Sequence, residues 1–274
     1  MEQTATNSLL DAYAPAQIAM RVREVDVTKA TMPVLTMFAL AVLAVAFIAL
    51  DALLFTITMT TGTTGQPPAL GLMRSAGGIT FSLGLILVVV GGAVLFTGNN
   101  LIAMAWASGR VTTQQVMRNW GWVHLGNLVG AIGTAALLWL VGIHSMSDGA
   151  VGATMVQIAR SKIALDPVLA VARGILCNLL VCLAIWLCMG AWTVTDKILA
   201  IAFPVPAFVA CGFEHSVAIM YVLPIGVALA AGISAPLSVT DAVGNLALVT
   251  ICNVLGGTVL VALIYWLVYL RNSE

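Results

Sequence analysis

Residues 75–109 carry no charged side chain. As one uninterrupted α-helix this stretch would run roughly 50 Å, well past a hydrocarbon core of about 30 Å. Its middle holds Phe96-Thr97-Gly98-Asn99-Asn100, a polar cluster at bilayer depth. It is therefore expected to form a discontinuous span: a half-helix to about Gly92, an irregular loop over 95–99, and a second half to Ser108. Irregular backbone inside a membrane is tolerated only where it is buried in protein or lines a cavity.

A second interruption follows the same logic. Between Lys197 and Asp241 the chain is apolar and Glu214 is its one charged residue, with His215 beside it. Upstream, Pro204 and Pro206 disfavour a continuous helix, and Gly212 is conformationally permissive. Ionisable groups at membrane depth are costly and usually face a protein interior or a water-filled path. The Glu214-His215 pair thus serves either as a site or as a cap tying two helices together.

The rest of the 274-residue chain fits a membrane-embedded frame, being 61% hydrophobic and 8% charged with mean hydropathy +1.06, against about a quarter charged residues in a soluble domain. Net charge is zero, which points to no nucleic acid. Charges at Arg21, Arg23, Glu24, Asp26 and Lys29 precede the first apolar run, so that run is expected to stay as an uncleaved anchor. Residues 1–31 read as a surface amphipathic helix, 32–270 as one six-span transmembrane domain and 271–274 as a short tail. The spans fall at about 32–55, 75–108, 119–143, 168–192, 198–229 and 241–270, with 144–166 as an exterior loop. Gly126 and Gly130 allow close helix contact. Seven Lys and Arg (21, 23, 29, 110, 118, 197, 271) lie on the side of the termini and four (74, 160, 162, 173) on the other, which favours cytoplasmic termini. The five cysteines and three histidines show no metal-ligand or redox spacing.

The second and fifth spans are both broken, and each is the middle of a group of three. That pattern suggests two inverted three-helix repeats around a midplane site. The half-helix N-termini created by the breaks favour anions there. From the residues alone, the expectation is a pathway for a small anionic solute.

At its breaks the chain resembles the formate/nitrite transporter family. The resemblance rests on Leu95-Phe96-Thr97-Gly98-Asn99, on residues 173–186 from Arg173-Gly174 to Ile185-Trp186, and on 212–221 from Gly212-Phe213-Glu214-His215 to Met220-Tyr221; Tyr13-Ala14-Pro15 with Lys29-Ala30 also fits the family's entry helix. It implies an all-α, aquaporin-like protomer, a homopentamer in the inner (plasma) membrane, no cofactor, no metal and no catalysis. It further implies His215 as the central pore histidine with Thr97 as its partner, Leu85 and Phe208 at a cytoplasmic-side constriction, and Leu95, Phe96 and Val181 at a periplasmic-side one. Lys162, Asn178, Glu214 and Asn253 match polar positions around the vestibules and the histidine. Ile219 stands where the family commonly has Asn, and Val94 where it often has an acidic residue.

The implied solutes are formate, nitrite or hydrosulfide, with formate first, crossing with proton exchange at His215. A rival of another class is a haem-carrying subunit using His124 and His215 as axial ligands, which a Soret band would reveal.

Overall fold

The computed structural model describes residues 13–60, 69–231 and 236–272, and these form helices joined by turns and loops, with no strand among them. Five helices are long and apolar enough to cross a membrane. They are α2 (Val34–Met59), α3 (Leu70–Gly91), α5 (Thr113–Leu140), α7 (Pro167–Gly190) and the continuous run formed by α11 (Val239–Gly257), a π-helical segment (Thr258–Leu263) and α12 (Ile264–Tyr269). The shorter pieces are α1 (Pro15–Thr31), α4 (Ile102–Ala107), α6 (Ala150–Ile163), α8 (Val194–Ile201), α9 (Pro204–Ala210) and α10 (Ser216–Ala230).

Each break has a local cause. Helix α3 stops because Gly92 takes φ 74°, a left-handed conformation open to glycine. The chain then runs irregularly to a 3-10 turn over Gly98–Leu101 that leads into α4. Pro204 starts α9 at a helical position that needs no N–H, and Gly212 (φ 68°) turns the chain toward α10. Helix α10 continues through Pro224.

Gly126 and Gly130 face α2 of the same chain, where a methyl on Gly130 would overlap the Val42 carbonyl. Gly256 lies in the same way on the Ile175 carbonyl of α7. These glycines bring α5 onto α2 and α11 onto α7, so their close contact is intramolecular. The expected exterior loop over 144–166 contains α6, whose buried face is Val151, Met155 and Ala159.

Helix α1 begins at Pro15, and the expected amphipathic residues 1–12 lie outside the described residues. Its docked face is Ile18, Ala19, Val22, Asp26 and Ala30. Burial pushes the Asp26 carboxyl up to about 7, and Lys29, with Nζ at 3.6 Å, offsets this only in part. A carboxyl raised on docking binds its proton more tightly when docked, so docking is strongest in acid and weakens as pH rises through about 7. Amide exchange over α1, corrected for intrinsic rates, is expected to be on the order of a hundredfold slower near pH 5 than near pH 8. Asp26→Asn should flatten that dependence.

Candidate functional site: a buried Thr-His pair between two cavities

The two breaks meet at the centre of the molecule. Thr97 precedes the 3-10 turn that opens into α4, and His215 is the N-cap of α10. Thr97 Oγ1 and His215 Nε2 are 3.0 Å apart, both side chains buried. Two helix N-termini therefore face one polar pair, and their unpaired N–H ends favour negative charge there.

The irregular backbone at each break is satisfied by one asparagine of the helix packed behind it. At the first break, Asn127 Oδ1 accepts from Phe96 N at 2.9 Å, and its Nδ2 donates to Ala41 O at 2.8 Å and Val94 O at 3.3 Å. At the second, Asn253 Oδ1 accepts from Ser216 N at 2.8 Å, and its Nδ2 donates to Gly174 O at 2.8 Å and Glu214 O at 2.9 Å. In both cases the amide ties a long helix to the carbonyl of one loop residue and the N–H two residues on. Buried backbone groups left unpaired would each cost free energy, so these two side chains hold the breaks open at low cost.

Asn178 links the halves. Its Nδ2 donates to Asn100 Oδ1 and Asn253 O, both at 2.7 Å, and approaches Thr97 O at 3.3 Å. Glu214 N donates to Arg173 O, and the Glu214 carboxylate accepts from Lys162 Nζ at 2.9 and 3.0 Å. Lys162 is thus ion-paired at the wall of the site.

Cavities flank the pair on both sides. One, of about 280 Å³, is lined by Arg74, Lys162, Arg173, Glu214, Phe208 and His215 among others. The other, of about 320 Å³, lies under α1 and is lined by Val25, Lys29, Val88, Leu95 and Ile185 among others. Between them is a void of about 10 Å³, room for about one water. Leu85, Leu95, Val181, Phe208, Phe81 and His215 enclose it.

Phe208 and Leu95 lie toward opposite ends of the void. Phe208 lines the cavity of Lys162 and Arg173, on the face away from α1, while Leu95 lines the cavity beneath α1. The cause is chain direction. The C-terminal end of α9 lies at the Arg74 end, where Arg74 Nη1 donates to Ala210 O at 3.0 Å, and Phe208 sits just before it. Phe96 packs edge-on against His124 and Trp120 of α5, with ring centroids 4.9 and 6.5 Å away.

Several residues of the site escaped the sequence reading. Phe81 lies one turn before Leu85 on α3 and stacks edge-on against Phe208, a spacing that periodicity could have flagged. Arg74 enters the sequence analysis only in the count of positive charge, and Arg173 only there and as the first residue of the motif at 173–186. Asn127 gave no local signal, although it sits beside Gly126 much as Asn253 sits near Gly256.

Apolar helices of spanning length, with a buried polar pair between two cavities, define an integral membrane protein of the channel class. The chain belongs to the formate/nitrite transporter family, whose model matches residues 16–267. It is 43% identical over 280 residues to the formate channel FocA of Escherichia coli strain K12, covering 96% of this chain and 97% of that one. It is 39% identical over 224 residues to the formate channel FocA of Haemophilus influenzae, covering 76% and 78%. Among solved structures it superposes on a pentameric formate channel with formate bound, with a TM-score of 0.80 and 33% identity over 87% of this chain and 98% of that one. The haem alternative is not favoured, since His215 Nε2 is engaged by Thr97 and the His124 ring packs on Phe96.

Proposed function

We propose that this chain is a channel for small monovalent anions of weak acids, formate foremost, which cross the dry centre as neutral acids after gaining a proton at His215. The observation that carries this reading is that His215, held by Thr97 at 3.0 Å, lines the void between two cavities. A bare anion in an apolar enclosure costs tens of kcal/mol by Born estimates, and groups in that position neutralise instead. Desolvation raises a weak acid's pKa, and imidazole is the side chain whose ordinary pKa suits exchange near neutrality. Arg74, Arg173 and the two helix N-termini draw the anion inward. Leu85, Phe208, Leu95 and Val181 strip its water.

The matched asparagine geometry supports six spans in two inverted repeats, with α8–α10 as the broken fifth crossing. Residues 32–270 are then one channel domain, preceded by the α1 segment and followed by the tail at 271–274. The relatives' formate channel activity supports formate over nitrite and hydrosulfide. Proteoliposome flux with all three solutes in parallel across pH tests the choice, and formate is expected to be fastest.

The likeness to a pentameric channel supports a homopentamer in the inner (plasma) membrane, with both termini cytoplasmic. Exposed apolar side chains such as Leu125, Val129, Ile132, Leu137 and Leu140 on α5 suit lipid and neighbouring protomers. Native mass spectrometry in mild detergent should show five chains. A monomer as the sole active species would overturn the assembly.

The Lys162–Glu214 pair sets what Lys162→Ala should do. The Glu214 side chain is only 4% exposed, so removing its partner strands a buried charge at a cost of about 3 kcal/mol. Flux and thermal stability are expected to fall together at every ionic strength. Adding Glu214→Gln should recover stability. A flux loss confined to low salt would instead mark Lys162 as a free attracting charge.

A further inference from the structure

We propose that Asp51 is a second acid group of the passage, a buried carboxyl that exchanges a proton with the weak-acid solute across the void from His215. Asp51 stands within α2, eight residues before its end at Met59, and is fully buried. It lines the same small void as Leu85, Leu95, Val181 and His215. Neither carboxyl oxygen has a hydrogen-bond partner of good geometry among the described residues. Oδ2 lies instead against Gly84, where the missing Cβ lets the carboxyl rest on α3; a methyl there would overlap it. An acidic side chain has thus been given a place at the narrowest part of the path, without a cation to pair with it.

The titratable and charged groups on elements packed against α2 are Arg74 on α3, Arg118 and His124 on α5, Arg160 and Lys162 on α6, and Tyr221 on α10 with its N-cap His215. Arg118 donates to the carbonyls of Ala30 and Met32, Arg74 to that of Ala210, and Lys162 to Glu214. Of all these groups, His215 is the one that shares the void with Asp51. A protonated carboxyl presents an O–H donor, whereas an ionised one left unpaired in an apolar enclosure is expensive. The position suits a group that keeps its proton until an anion arrives.

The step balances. Where Asp51 rather than His215 supplies the one proton, the solute's carboxylate oxygen takes it as the Asp51 O–H bond breaks, leaving a neutral acid and a short-lived Asp51 carboxylate. That carboxylate then takes a proton from hydronium in the adjoining cavity, which Ala52, the next residue, lines, and water is released. The net change is anion plus hydronium giving neutral acid plus water.

This inference rests on the neutral-acid reading, and the experiment separates the two. Formate flux is measured in proteoliposomes across pH for wild type, Asp51→Asn and Asp51→Glu, with transmembrane current recorded in parallel. Asp51→Asn keeps shape but cannot exchange a proton. It is expected to stay assembled, to lose about tenfold of the inward rate in acid, and to show one ionisation in its pH profile where wild type shows two. Asp51→Glu should recover part of the rate and the second ionisation. An electroneutral wild type with an unchanged profile in Asp51→Asn overturns the role of Asp51 alone. A wild type carrying formate as current overturns the neutral-acid reading beneath it. If Asp51→Asn does not assemble, infrared difference spectra of wild type on adding formate decide: a deuterium-sensitive carboxylic C=O change beyond that of formate supports the proposal, and its absence overturns it.

Discussion

Asparagine in place of His215 is expected to leave an assembled channel that has lost most inward weak-acid transport at mildly acidic pH. The imidazole is buried at the N-cap of α10, Nε2 faces Thr97 at 3.0 Å, and its ring lies 5.8 Å from that of Phe208. The loop around it is held by Asn253 and the Arg173 carbonyl through backbone groups that do not involve the ring. The substitution therefore spares the scaffold and removes the proton-exchanging group. Loss of a positioned acid-base group typically costs about 10²-fold or more. A residual flux is expected, because Thr97, Asp51 and the helix N-termini remain. Radiolabelled formate and nitrite uptake at several pH values, beside wild type, reads the effect. Unchanged rates with an unchanged pH profile would leave His215 a structural residue.

Leucine in place of Asn253 should do the opposite and destroy the scaffold. The change keeps volume but strands Ser216 N and Glu214 O, both paired to this one amide within 2.9 Å, and removes the second bond on Gly174 O, which keeps its helical partner in α7. A buried polar group left unsatisfied costs about 1–3 kcal/mol, so the two together put the loss at about 3 kcal/mol or more. His215 is the residue between the two anchored groups, so its register fails along with the fold. Thermal unfolding and size-exclusion profiles in detergent should show a large drop in stability and loss of assembly. Asn127→Leu should damage the first break in the same way through Phe96 N and Val94 O. Native stability in either variant would mean that the asparagines are not what holds the breaks.

The features legible in the sequence were those that follow from chain chemistry over short range. A charge-free stretch too long for the bilayer, with Gly92 and a polar cluster inside it, locates the first break, and Pro204 with Gly212 locates the second. Features set by distant contacts were not legible. The Lys162–Glu214 pair joins residues 52 apart in sequence, and no periodicity reveals it. The side of the path on which Phe208 lies depends on the direction of α9, which sequence spacing leaves open. Helix α6 was hidden because Gly149 and the left-handed Ser147 and Asp148 read as a loop, although Val151, Met155 and Ala159 already mark a helical face. Asp51 falls four residues before the expected end of the first span at 55, whereas α2 extends to Met59 and places it inside the span.

The central claim is that the solute crosses the narrow centre as a neutral acid. Formate movement into proteoliposomes, an internal pH indicator and transmembrane current can be followed together on the wild-type protein. The account predicts one proton carried with each formate, acidification of the receiving lumen and no formate-dependent current. Formate entry that drives a matching current, with no accompanying proton, would contradict it.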